Sequence, residues 1–142
     1  MAGPFRLTAP VVPEGDLHEA VAQLLWRVVL SPAEWTCFPA GNVPLPAQFA
    51  VKLLRMGLRR GWPDFLILHD RLYGIELKRQ GERLSITRVV RNRRGAPRVV
   101  EGQREVFPRL RAAGMEIVVA TSIDEVLTAL RGWNIPMRRI AA

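Results

Sequence analysis

Two carboxylates and one ammonium lie close together in the middle of the chain: Asp64 in "GWPDFLIL", then Glu76 and Lys78 in "GIELKR". The stretch around them reads as two apolar strands, 64–68 and 72–78, joined by a turn. Side chains alternate along a strand, so Glu76 and Lys78 share one face while Ile75 and Leu77 share the other. Asp64 joins the face of Glu76 if the two pair across the hairpin. That requires an odd-numbered loop, and His69, Asp70 and Arg71 between Leu68 and Leu72 supply one. Such a face suits a hard divalent cation. Mg²⁺ takes oxygen ligands in an octahedron and keeps several waters, so two carboxylates and a backbone carbonyl are about what a protein provides, and Mn²⁺ fits the same donors. A compact ammonium beside the cation can orient a water, help to deprotonate it, or offset charge on a phosphate under attack. A flat guanidinium that keeps its protons cannot. Of 21 basic residues only Lys52 and Lys78 are lysines, so a lysine at this position is an exception that the chemistry accounts for.

The elements that must position this set are legible around it. A chain of 142 residues, 49% hydrophobic, can bury one core, which predicts a single domain at 17–132 between an extended segment 1–16 and a tail 133–142. Leu17, Val21, Leu24, Leu25 and Val28 recur at helical spacing behind a capping-box pattern, Asp16 and Glu19, and leave Glu19, Gln23 and Arg27 on a polar strip. "WTCFPAGNVPLP" predicts a short strand running into a loop. "AQFAVKLLRMGLRRG" predicts a helical turn or two, closed by Gly57 or Gly61 and carrying Lys52, Arg55, Arg59 and Arg60. After the hairpin comes a basic insertion, 86–101, in which "ITRVV" and "PRVVE" flank "RNRRGA"; it reads as an arginine-rich hairpin or ordered loop. A helix over 102–113 follows, kinked or started late by Pro108 and ended by Gly114. "MEIVVA" predicts a buried strand, and "SIDEVLTALRG" a helix capped by Ser122 and Glu125 and ended by Gly132. The order gives an α/β or α+β domain, a small mixed sheet flanked by helices.

Charge narrows the partners. A formal net charge of +8 and a pI near 11.3 favour a polyanion. Cys37 is the lone cysteine, which excludes internal disulfide stapling, and no stretch reads as a signal peptide or membrane span. A cytoplasmic location is expected.

The spacing resembles the PD-(D/E)xK nucleases, with Pro63-Asp64 and Glu76-Leu77-Lys78 as the two halves. More closely it is similar to the VRR-NUC (virus-type replication-repair nuclease) family, whose small stand-alone members occur in phages and bacteria. The features are Glu19 in the first helix, "GxxxGWPD" at 57–64, "GIELKR" at 74–79, "LS" at 84 and 85, Gln103 opening a helix, and "AGMEIVVATSIDEVLTAL". The likeness spans about residues 17–131. It implies a restriction-endonuclease-like core and a metal held by Asp64, Glu76 and the Leu77 carbonyl. It also implies Lys78 acting on water or phosphate, with Glu19 and Gln103 completing the catalytic set. A Mg²⁺-dependent endonuclease working as a homodimer on branched DNA, such as four-way junctions or flaps, is the expected activity. The chain departs from the family where residues 86–101 separate "LS" from Gln103, a gap the family usually lacks.

Rival readings stand beside these. Glu19 is equally a capping or solvent-strip residue, and Gln103 an ordinary first-turn residue. The insertion arginines Arg91, Arg93, Arg94 and Arg98 either reach phosphates or line a solvated loop. Trp62 is read as packing rather than as a base-stacking platform, and His18 and His69 as surface residues without zinc spacing. For the whole chain the rivals are a nucleic-acid-binding module that does not cut and an RNA-directed nuclease.

Overall fold

The computed structural model describes residues 14–38, 45–91 and 95–140. The expected class holds: four helices flank a mixed four-stranded sheet, and a separate two-stranded ribbon stands beside it. The elements in chain order are α1 (Glu14–Val28), β1 (Glu34–Cys37), α2 (Ala47–Arg55), β2 (Phe65–Leu68), β3 (Leu72–Leu77), β4 (Arg88–Val90), β5 (Arg98–Val100), α3 (Gln103–Ala112), β6 (Glu116–Ala120) and α4 (Ile123–Gly132). The main sheet runs β1-β2-β3-β6, antiparallel except for the parallel β3/β6 pair.

One face of that sheet makes the main core. Phe65 and Ile67 of β2 pair with Ile75 and Tyr73 of β3 and so point the same way, joined by Leu77 and Ala120. Against them α1 lays Leu17, Val21, Leu25 and Val28, and α4 lays Val126 and Leu130, all buried. The segment set apart as a tail enters this core as well. Ile135 is buried in it, Met137 packs on it, and Val29 bridges to Met137. The opposite face belongs to Asp64, Glu76, Lys78 and α3, whose Val106 and Phe107 are buried. Gly74 lies under Pro63 and Met115, so closely that a Cβ there would meet Pro63 Cγ at 2.6 Å.

Several expectations are corrected. Helix α1 begins at Glu14, so Asp16 lies in its first turn, where its charge complements the helix dipole, and does not cap it. Strand β6 is not buried throughout. It is an edge strand, and only Ala120 is fully enclosed. Pro108 neither delays α3 nor ends it, since the helix runs on both sides of it. Helix α4 does end at Gly132 behind its Ser122 cap, and the left-handed turn that follows it falls on Asn134, with φ 54°. Gly57 and Gly114 do take the positive φ that ends a helix, 102° and 107°. Helix α2 is amphipathic but buries none of its residues, and Phe49 is 53% exposed.

Candidate active site

The hairpin of β2 and β3 has the odd loop. Leu68 pairs with Leu72, leaving His69, Asp70 and Arg71 between them, and Tyr73 closes the turn by donating its hydroxyl to Asp70 at 2.6 Å. The register continues to Phe65 opposite Ile75, and one step further sets Asp64 opposite Glu76, on one face. Both strands stop a residue short of the sequence expectation, at Phe65 and Leu77. The next position in register opposite Leu77 is Pro63, which has no N–H to donate. The Leu77 amide instead donates to Asp64 Oδ2 at 2.7 Å. The Leu77 carbonyl, on the same side of the strand as that amide, has no donor from Pro63.

Asp64, Glu76 and Lys78 are all buried, at 6%, 2% and 8% exposure. Lys78 Nζ lies 2.9 Å from Glu76 Oε1 and 4.0 Å from Glu82. Gln103 Nε2 donates to the same Glu76 Oε1 at 2.5 Å. One oxygen of Glu76 is therefore satisfied twice, while Oε2 is buried and has no hydrogen-bond partner among the described residues. Burial, followed by the charge of Asp64, pushes the Glu76 carboxyl up to about 7 against the pull of Lys78 and Gln103. Burial pulls Lys78 down, but Glu76, Glu82 and Asp64 outweigh it and hold the ammonium above the ordinary lysine range.

Gln103 reaches Glu76 because the start of α3 is clamped from outside. Its N-cap, Gly102, has no side chain to offer the helix. Ser85 caps it from afar: Ser85 Oγ accepts from the Gln103 amide at 3.1 Å, and the Ser85 amide donates to Gln103 Oε1 at 3.3 Å. Two residues on, Thr87 repeats the arrangement. Its amide and hydroxyl donate to Glu105, and its hydroxyl accepts from the Gly102 amide at 3.0 Å. A Cβ on Gly102 would come within 2.2 Å of the Ile86 carbonyl carbon, so only glycine lets the two segments meet. The insertion leaves and returns through this pinch. Its length does not displace Gln103, and the ribbon of β4 and β5 is the expected arginine-rich hairpin.

Asp64, Glu76, Lys78 and Gln103 thus line one cleft of about 460 Å³, together with Arg60, Trp62, Ser85, Arg88 and Glu101. Trp62 packs on Phe38, ring centroids 5.6 Å apart, in keeping with a packing role. Glu19 is exposed on α1 and does not line the cleft. It sits on the polar strip while Leu17 and Val21 turn to the core. His18, expected at the surface, is half-buried against Phe65 at 4.4 Å, and His69 is half-buried too. Of the expected phosphate ligands, Arg60 lines the cleft, Lys52 and Arg55 are exposed on α2, and Arg59 is engaged by Glu101 at 2.9 Å. Arg91 and Arg98 are exposed, while Arg93 and Arg94 lie outside the described residues. Arg88, Thr87 and Glu105 were not singled out in the sequence. Thr87 and Glu105 repeat the eighteen-residue offset of Ser85 and Gln103, while nothing comparable marks Arg88.

Among the described residues no group of three His, Cys, Asp or Glu side chains could hold a metal. The donors that could are two carboxylates and a carbonyl, an oxygen-only set with room left for water, which fits Mg²⁺ or Mn²⁺ better than zinc. The orphaned Oε2 of Glu76 is the feature such a cation would complete. Comparison of the chain with protein-family models, with curated proteins and with solved structures finds no match.

Proposed function

We propose that the protein is a divalent-metal-dependent endodeoxyribonuclease that acts as a homodimer on branched DNA. The observation that carries this reading is Glu76: a carboxylate buried on the cleft wall, with Lys78 and Gln103 on one oxygen and no partner on the other. A buried acid left half-satisfied lowers stability, and beside Asp64 it also repels phosphate. A module that only binds nucleic acid gains nothing from it.

Asp64, Glu76 and the Leu77 carbonyl would hold the cation, which when bound polarises a phosphate and lowers the pKa of a coordinated water. Glu76 can face it only through Oε2, because Gln103 and Lys78 fix Oε1 and so fix the plane of the carboxylate. Asp64 is oriented by the Leu77 amide. Lys78 keeps its proton at neutral pH, held by Glu76 and Glu82, and so acts as a positive point near the attacking water and the phosphate oxygens, not as the base. The basic surface attracts the substrate, and the cleft sets which phosphate meets the acids.

The test is a digestion panel of linear, flap and four-way DNA and of RNA, with Mg²⁺ and with Mn²⁺. Cutting of branched DNA is expected, abolished in Asp64→Asn and Glu76→Gln while their nucleic-acid binding is kept or improved. Robust Mg²⁺-dependent cutting by either variant sinks the site. Cutting of RNA alone would move the reading to an RNA-directed nuclease, and tight metal-independent binding without cutting of any substrate would leave a binding module.

A further inference from the structure

The cleft has a third carboxylate on its wall, Glu101, and two cations beyond Lys78, Arg60 and Arg88. Glu101 is compensated twice over, by Arg59 at 2.9 Å and by Arg109 at 2.5 Å. Arg60 and Arg88 make no ion pair among the described residues. Arg60 is half-buried, and a guanidinium cannot shed its proton to escape that position. A cation held partly out of water without a counter-charge lacks the partner that an anion would supply.

The two arginines come from unrelated elements, and both are anchored on α3. Arg60 precedes Gly61, whose φ of 82° turns the chain onto Val106, where a Cβ would lie 2.9 Å from Val106 Cγ2. Arg88 follows Thr87, which is bonded to Gly102 and Glu105 at the root of the hairpin. Both line the cleft that Asp64, Glu76, Lys78 and Gln103 share.

We propose that Arg60 and Arg88 bind the phosphates on either side of the one that faces Asp64 and Glu76, so that the root of the inserted hairpin is a wall of the substrate cleft. This rests on the nuclease reading, and the experiment separates the two. Binding of a fluorescent four-way junction is titrated with salt in EDTA, where no cutting occurs. Arg60→Gln and Arg88→Gln should each flatten the slope of log affinity against log salt by about 0.9, and the double variant by about 1.8, as loss of single duplex phosphate contacts requires. Arg88→Lys should keep the wild-type slope, since the charge remains. Arg131→Gln, exposed on α4 behind the other face of the sheet, should keep it too. In single-turnover cleavage with Mg²⁺, the double variant should need more enzyme for half-saturation and lose less of its saturated rate. A methylphosphonate next to the mapped cut should then erase the wild-type advantage over the single variant whose phosphate it neutralises. An unchanged salt slope with cleavage intact overturns the two-arginine clamp and leaves the nuclease standing. Slopes that fall as stated without cleavage under any metal keep the clamp and remove the nuclease.

Discussion

Glu76 sits almost wholly out of water with Asp64 as its neighbour, and both facts favour its protonated form. Together they push the folded carboxyl up to about 7, from an ordinary 4.5. An acid whose folded pKa is raised lowers stability as pH rises: the contribution is nil below the unfolded value and complete above the folded one. Without metal, wild-type protein should therefore lose stability between about pH 4.5 and 7 relative to Glu76→Gln, by on the order of 3 kcal/mol at about 1.36 kcal/mol per unit. Urea unfolding of both proteins in EDTA across that range checks it. A difference that does not grow with pH would mean that Lys78 and Gln103 fully stabilise the ionised form. Metal affinity should run the other way, because the ligand must be ionised to bind. Calorimetric titration with Mn²⁺ should show affinity falling about tenfold per unit below about pH 7 and level above it. Lys78 carries a second expectation. Lys78→Arg keeps the charge, but its planar fork needs more room than a point charge 2.9 Å from Glu76 Oε1 leaves. Cleavage should fall at least as far as in Lys78→Gln, and near wild-type turnover would show that only local charge matters.

At the scale of elements, the hairpin was readable because alternation and loop parity are local rules, and Asp64, Glu76 and Lys78 fell on one face by counting alone. The contacts that complete the site are not local. Gln103 reaches Glu76 across 27 positions, and nothing in the periodicity of either element announces it. Strand β6 was misread because its apolar run is that of a buried strand, while its place at the edge depends on which strand it joins. The end of α4 at Gly132 was readable, but the left-handed turn at Asn134 that seats Ile135 in the core is a tertiary demand that the local sequence does not signal. Gly102 is the element-scale test. Gly102→Ala forces a backbone carbon 2.2 Å away to move and loosens the Ser85 cap on Gln103. It should cost roughly 1–3 kcal/mol in urea unfolding, the usual range for overpacking, and should weaken Mn²⁺ binding. Gly132→Ala, with nothing near its Cβ, should leave both unchanged.

Over the whole molecule, no helix among the described residues is long and apolar enough to cross a membrane, and the charge of +8 is spread over both the domain and the insertion. The sheet with its helices forms one body, and the ribbon of β4 and β5 stands outside it. Replacing residues 88–100 by a short Gly-Ser turn should leave the unfolding midpoint and the Mn²⁺ affinity close to wild type while flattening the salt dependence of DNA binding. Loss of folding would show that the ribbon is part of the core. The pinch at Thr87 and Gly102 gives this a wider consequence. Whatever lies between those two residues starts and ends at nearly the same point in space, so lengthening it adds only a slowly growing loop-closure entropy and does not strain the acids. The pinch is a socket: a lineage could exchange the head it carries while the end that bears Asp64, Glu76 and Lys78 stays as it is. If the proposed nuclease activity holds, heads of other length or charge grafted between Thr87 and Gly102 should alter which DNA is cut.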